Sequence, residues 1–276
     1  GNLIMQFEKT SCQKNKLRKN RGQGSLEYLL LIGGAIIVSA TVLVTILSIA
    51  NTGSPAAQNS VDALEMRKMA AAANFNPDGF VSYFNMDSKM PNSTVADNTV
   101  TFGVNDSTRG KVTRIQAGRI KVDNVPANTT ANEKNTVSMW VKFTSVTATD
   151  YAFSWASCYA LYPRDATNDV SVHTCNGDLL GGSSNIATDT WYHMVAVFPN
   201  AIPTTSNAKV YVNGTLLSMG TILAGAISKS ATSTVYISGY AGGSSRNLDD
   251  AYVDDVMVFN RELTAAEVLA IYNYQK

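Results

Sequence analysis

Trp191-Tyr192-His193-Met194-Val195-Ala196-Val197-Phe198 is an eight-residue run of aromatic and aliphatic residues interrupted only by His193, and Lys209-Val210-Tyr211-Val212-Asn213-Gly214-Thr215-Leu216-Leu217 follows it. Asn213-Gly214 separates Val-Tyr-Val from Thr-Leu-Leu, and both residues accept the positive φ of a type I′ turn, so the second stretch predicts a β-hairpin. Outward from this pair, residues 137–143, 151–155, 170–172, 234–237 and 253–259 carry the alternation of half-buried strands, with turn clusters between them. Many short strands without intervening helices predict a β-sandwich or jelly roll. One helix closes the chain. Thr264-Ala-Ala-Glu267 has the spacing of a capping box, and Leu263 with Val268 that of the hydrophobic staple.

The formal charge of +1, from 22 basic and 21 acidic residues, conceals a split. Lys9, Lys14, Lys16, Arg18, Lys19 and Arg21 face only Glu8 within residues 1–22, a charge of +5; sixteen basic and twenty acidic residues remain, giving the body −4. The body lacks the basic surface that counterion release requires, so no nucleic acid is expected as partner. Hydrophobic residues at 45% against 16% charged exclude disorder, and three cysteines exclude a disulfide-dense miniprotein.

Residues 26–49 form a largely apolar run of 24 residues with one charge, Glu27. As a helix they span about 36 Å, enough for a bilayer core of about 30 Å. The basic flank stays cytoplasmic under the positive-inside rule, so everything after Asn51 is expected outside. Met5 can serve as initiator, with residues 1–4 as an upstream extension.

A cleavable secretory signal is cut after its apolar segment, whereas Lys19-Asn20-Arg21-Gly22-Gln23-Gly24-Ser25-Leu26-Glu27-Tyr28 puts a basic pair and a glycine before it. This arrangement resembles the class III, type IV prepilin-like signal peptides of archaeal pilins. The resemblance implies that a membrane prepilin peptidase cuts between Gly22 and Gln23, that the assembly machinery then packs the helix into a filament of like subunits, and that Glu27 becomes the fifth residue of the mature chain. Cleavage would create an α-ammonium on Gln23, and a charge buried unpaired is heavily penalised. Glu27 can neutralise it, on its own chain or a neighbour's. An ordinary signal anchor with an incidental acid is the alternative reading.

Asn51-Thr-Gly-Ser-Pro55 predicts a break or hinge, and residues 60–73 a short stalk helix with Ser60 as N-cap and Val61, Leu64, Lys68 and Ala72 on one stripe. The expected fold is thus an N-terminal transmembrane or filament-core α-helix followed by an all-β jelly-roll sandwich with a short C-terminal helix. Its parts are a basic leader (1–22), apolar helix (23–50), hinge and stalk (51–78) and head (79–276).

The ordered set of residues 79–87, 137–143, 191–198, 209–214 and 253–267 is similar to the laminin-G-like, concanavalin A-like jelly-roll family. That resemblance implies two antiparallel sheets, carbohydrate or protein binding on the concave face, and a structural calcium held by Asp254 with help from Asn85 or Asp87. Asp249, Asp250, Asp254 and Asp255 are the densest acidic cluster, and calcium takes oxygen ligands. Neighbouring residues of a strand point to opposite faces, so at most one of Asp254 and Asp255 is expected to be buried. Solvated acids are the alternative.

Hydrolases on this fold use paired carboxylates, usually from a Glu-x-Asp-x-x-Glu strand, which is absent. Beyond the apolar helix the glutamates are Glu65, Glu133, Glu262 and Glu267, in stalk, loop or terminal-helix positions. His173 and His193 alternate with apolar residues and accompany no nucleophile elbow. No catalysis is expected. Cys158 and Cys175, 17 residues apart and outside the cytoplasm by the topology above, predict a bridge whose loop closure adds about 3 kcal/mol, against two buried thiols. The sequons at Asn92, Asn105, Asn128 and Asn213 match the number that chance provides from 24 asparagines and 51 serines and threonines, yet N-glycosylation of a surface protein suits them. The function these features point to is a structural or adhesive subunit of an archaeal type IV pilus-like filament whose head binds glycans or surface proteins. A membrane-anchored carbohydrate-binding protein that does not polymerise is the alternative.

Overall fold

The structure, a computed structural model, describes residues 55–145, 150–155, 158–164, 169–220, 222–223 and 225–276. They belong to the unit Pro55–Lys276; residues 1–54, and with them the expected leader and apolar helix, lie outside the description. Among the described residues no helix is long and apolar enough to cross a membrane.

Among the described residues helix α1 (Pro55–Ala73) precedes fourteen strands. They are β1 (Phe80–Phe84), β2 (Ser93–Asp106), β3 (Gly110–Val122), β4 (Lys134–Ser145), β5 (Phe153–Trp155), β6 (Tyr159–Arg164) and β7 (Asp169–His173). There follow β8 (Asp178–Ser183), β9 (Trp191–Pro199), β10 (Lys209–Val212), β11 (Thr215–Leu216), β12 (Ile222–Leu223), β13 (Val235–Ile237) and β14 (Asp250–Phe259), and then helix α2 (Ala265–Gln275). All pairings are antiparallel, in the order β11-β10-β9-β4-β14-β3-β13-β5-β6-β7-β8-β12, with β1 on β14 and β2 on β3. The product is a jelly-roll sandwich.

β3 serves both layers. Thr113–Ile115 pair with β14, and Ile120–Val122 pair with β13. Between them Ala117, at φ 52°, bulges out and gives its N–H to the carbonyl of Leu248 at 2.9 Å. A bulge bends a strand and raises its twist, which lets one strand leave the first sheet and enter the second. The inner faces then meet in a core that includes Met139, Val141 and Phe143 of β4, Met194 and Phe198 of β9, and Phe153 and Trp155 of β5.

The first layer is apolar on its outer face too. Val195, Val197, Tyr211, Met257 and Phe259 lie under Met66, Met69 and Ala70 of α1 and Val268 and Ile271 of α2. The α1 stripe read from sequence is therefore corrected: Leu64 is 53% exposed and Lys68 and Ala72 are exposed, while Met66, Met69 and Ala70 face inward. In an alanine-rich helix several faces are similarly apolar, and the two methionines have the most surface to bury. The start is corrected as well. The helix begins at Pro55, where a missing N–H is harmless in the first turn, so Ser60 is interior to it and not its N-cap; residues 51–54 of the expected break lie outside the described residues. α2 has the expected start: Glu267 N–H donates to Thr264 Oγ1 and Thr264 N–H to Glu267 Oε2, with Leu263 and Val268 buried together.

Candidate functional site

The tip of the β2–β3 hairpin is ordered by Asp106, whose Oδ1 accepts the N–H groups of Thr108 (2.9 Å) and Arg109 (3.1 Å). Arg109 reaches from that tip to β14. Its Nε donates to Asp254 Oδ2 at 2.6 Å, its Nη2 to Asp255 Oδ2 at 2.5 Å and its Nη1 to the Gln275 carbonyl at 3.1 Å. Its guanidinium lies 4.1 Å from the Trp140 ring centre, a cation–π distance. The Tyr83 hydroxyl donates to Asp255 Oδ1.

Asp254 is buried while Asp255, its side chain 17% exposed, is half-buried, in keeping with the expectation of at most one buried acid. The β14–β4 register shifts between Asp254 and Met257, and Asp255 takes φ 47°. At a bulge the alternation of faces lapses, so adjacent carboxylates can grip one guanidinium. Burial, with the neighbouring Asp255 charge, raises Asp254 from the ordinary 3.8 to about 7 against the pull of Arg109; Asp255 is raised as well, by burial.

The calcium set does not fit. A buried arginine already supplies the cation at Asp254, Asn85 Oδ1 accepts the N–H of Asp87 at 3.2 Å, and Asp87 is exposed. Among the described residues no group of three or more His, Cys, Asp or Glu could hold a metal ion.

His193 is fully buried, with Nε2 2.7 Å from Ser138 Oγ and its ring stacked on Tyr272. Burial, then the Arg109 charge, pushes its pKa down to about 3, so it is a neutral packing residue at physiological pH. Glu65 pairs with Lys68 at 2.7 Å, Glu262 with Lys209 at 2.6 Å, and Glu267 with Arg261 at 2.7 Å. Glu133 is exposed in a turn.

On the outer face of the second layer, Cys158 and Cys175 form a disulfide with Cα atoms 5.2 Å apart. Beside it Tyr151 meets Tyr162 and Tyr240 edge-on, at 5.6 and 5.7 Å between ring centres, and its hydroxyl is 3.4 Å from Cys158 Sγ. His173 packs at 5.1 Å from Tyr151. These tyrosines were not singled out in the sequence. The signal available was the alternation of β6, where Tyr159 and Leu161 enter the core and Ala160 and Tyr162 turn outward.

The sequons divide. Asn92 and Asn105 are exposed, whereas Asn128 and Asn213 are half-buried and bonded. Asn128 Oδ1 accepts from Thr130 N–H at 3.0 Å and Asn213 Oδ1 from His193 N–H at 2.9 Å. Gly22, Gln23 and Glu27 lie outside the described residues.

Residues 114–269, more than half of the chain, match the family model of the concanavalin A-like lectin/glucanases superfamily. The chain belongs to this superfamily. A class III signal peptide matches residues 20–47, so the lectin-type head belongs to a protein that is secreted or surface-exposed and membrane-anchored at first. No curated protein matches the sequence. Among solved structures, the lectin-type chain is similar to domain 4 of AbnA, an extracellular arabinanase from Geobacillus stearothermophilus in complex with arabinotriose. That likeness has a TM-score of 0.53 and 17% identity over 70% of this chain and 98% of the other. It is also similar to Trypanosoma rangeli sialidase (TM-score 0.48, 15% identity, 70% of this chain and 32% of that one). A third is the receptor-binding domain of botulinum neurotoxin D (TM-score 0.48, 16% identity, 72% and 53%). Such identities carry the fold alone.

Proposed function

We propose that the chain is a subunit of an archaeal-type pilus-like surface filament whose lectin-type head binds glycans or surface proteins. Prepilin peptidase cuts between Gly22 and Gln23, the apolar helix enters the filament core, and Glu27 neutralises the new α-ammonium. The observation that carries this reading is the union, in one chain, of a class III signal peptide and a lectin-type sandwich. The first suits polymerisation and the second suits recognition. A domain of the same fold in complex with arabinotriose makes oligosaccharides the first ligand class to try.

The head acts without catalysis. Glu262 and Glu267 of the head, and Glu65 of the stalk, are held in ion pairs and the buried His193 is neutral, so a general acid and base facing a common substrate are not assembled from them. The test is the mature N-terminus of protein recovered from sheared extracellular filaments. A peptide beginning at Gln23 supports processing and assembly. An uncut N-terminus confined to membranes sinks the filament reading and leaves an anchored binder.

A further inference from the structure

Beside β1 and past the end of β3, the sandwich opens at its side. β1 pairs only with β14 among the described residues, and its other edge borders a cavity of about 170 Å³ closed by the chain after β3 and by the loop before β2. Phe84, Met90 and Val125 give it an apolar lining and are themselves 8%, 8% and 1% exposed. Asn85 and the exposed Asn92 and Asn124 line it with amides, and two charged residues also stand on the lining, Lys89 and Asp123, the latter paired with Lys121 at 2.8 Å. The amides of Asn92 and Asn124 have no hydrogen-bond partner among the described residues, and Asn85 uses only its oxygen, for the Asp87 N–H.

We propose that this cavity binds a single sugar ring, and the inference rests on the head being the recognising part of the protein. Size restricts the occupant: an apolar cavity of about 150 Å³ takes one benzene ring, while drug-sized ligands need about 300 Å³ or more. Chemistry restricts it further. A pyranose or furanose has an apolar C–H face for Phe84, Met90 and Val125 and a rim of hydroxyls that both donate and accept. An asparagine amide does the same, through N–H and C=O, so three of them can pair with neighbouring hydroxyls, and the opposite charges of Lys89 and Asp123 leave the lining with no net charge to favour an ion. Asn92 and Asn124 hold φ of 37° and 62°, a left-handed backbone that asparagine tolerates better than most residues, which fixes where their side chains start. The ring binds as a terminal or branch residue, since the cavity has no room for a second.

The experiment uses the full chain with ¹³C-methyl methionine, in a detergent without a sugar headgroup, titrated with methyl glycosides of hexoses, pentoses and N-acetylhexosamines. The expected result is a saturable shift of the Met90 methyl with at least one glycoside and none at Met194, deep in the core. Ser88→Trp, at an exposed position on the lining, fills the mouth and weakens binding about tenfold or more with an unchanged melting temperature. Asn92→Ala removes one amide and weakens it about fivefold, the worth of one hydrogen bond. No saturable shift with any glycoside overturns the site, as does binding indifferent to Ser88→Trp. A glycan covalently attached to Asn92 in native protein also overturns it, because the mouth would then hold the chain's own sugar. Glycan capture by filaments with Met90 unmoved defeats this site and leaves the proposed function standing. A mature N-terminus other than Gln23 defeats the filament and leaves the site.

Discussion

The two layers bury their inner faces against each other, but their outer faces are finished differently. The first layer is roofed by α1 and α2, with Met66, Met69, Val268 and Ile271 over Val195, Val197 and Met257, and its rim is closed by Arg109 between two carboxylates. The second layer carries Tyr151, Tyr162 and Tyr240 around a disulfide. One face is held by helix packing and a buried charge cluster, the other by a covalent link between neighbouring turns. The difference teaches that a sheet's outer face needs its own means of stabilisation, and that each kind fails under a different perturbation.

The largest effect is expected on the roofed side. Arg109→Ala leaves the buried Asp254 and the half-buried Asp255 without their cation, and unfolding of the full chain by urea should show a loss of about 3 to 5 kcal/mol. A loss below about 1 kcal/mol would show that the cluster does not hold the rim. On the other side, replacing Cys158 and Cys175 together by serine should remove about 3 kcal/mol, the loop-closure value for a bridge spanning 17 residues. If that pair outweighs Arg109→Ala, the comparison is inverted. Met69→Ala, which lifts the α1 contact, should lower stability by about 2 kcal/mol, and hydrogen exchange should speed up in α1 before it does in β6.

The pH dependence separates the faces without mutation of the core. Asp254 has a folded pKa near 7, above its ordinary 3.8, so the folded state binds the extra proton. Its contribution to stability is therefore largest at acid pH, falls as the pH rises from about 4 to 7, and is flat above. Asp106 works in the opposite sense at lower pH: burial would raise it, but Lys142 and the turn amides outweigh this and hold it at about 2, so its contribution is lost below pH 4. Denaturation at pH 5 and pH 8 should give a downward slope in the wild type and a flatter one in Asp254→Asn. An unchanged slope would assign it elsewhere. The smallest effect is that of calcium: chelation or addition at millimolar concentration should leave the melting temperature of the full chain unmoved, and a shift of several degrees would restore a metal to the Asp254 region.

The strands read most easily were those with an apolar inner face and regular alternation, such as β9, β10 and β4. β2 and β3 escaped because their burden of threonine, aspartate, lysine and arginine hides the period. β2 lies on an edge with most of its residues exposed or half-buried, and its bulges at Thr99 and between Thr101 and Val104 break the alternation. The α1 stripe was misread for the opposite reason, too many apolar residues on too many faces. The Asp254–Asp255 pair was noticed, yet its partner was not, since Arg109 stands 145 residues away and nothing local marks it.

By itself the sequence determined the β-rich head, the Asn213-Gly214 hairpin, the capped final helix and the apolar segment with its basic leader. Each depends on residues a few positions apart, where periodicity, turn chemistry and charge act directly. Only the tertiary structure decided which face of α1 is buried, that one arginine neutralises two adjacent acids, and that Asn85, Asn92 and Asn124 surround one cavity. Those facts depend on bulges that redirect single side chains and on strand pairings between distant segments, and neither leaves a local pattern to read.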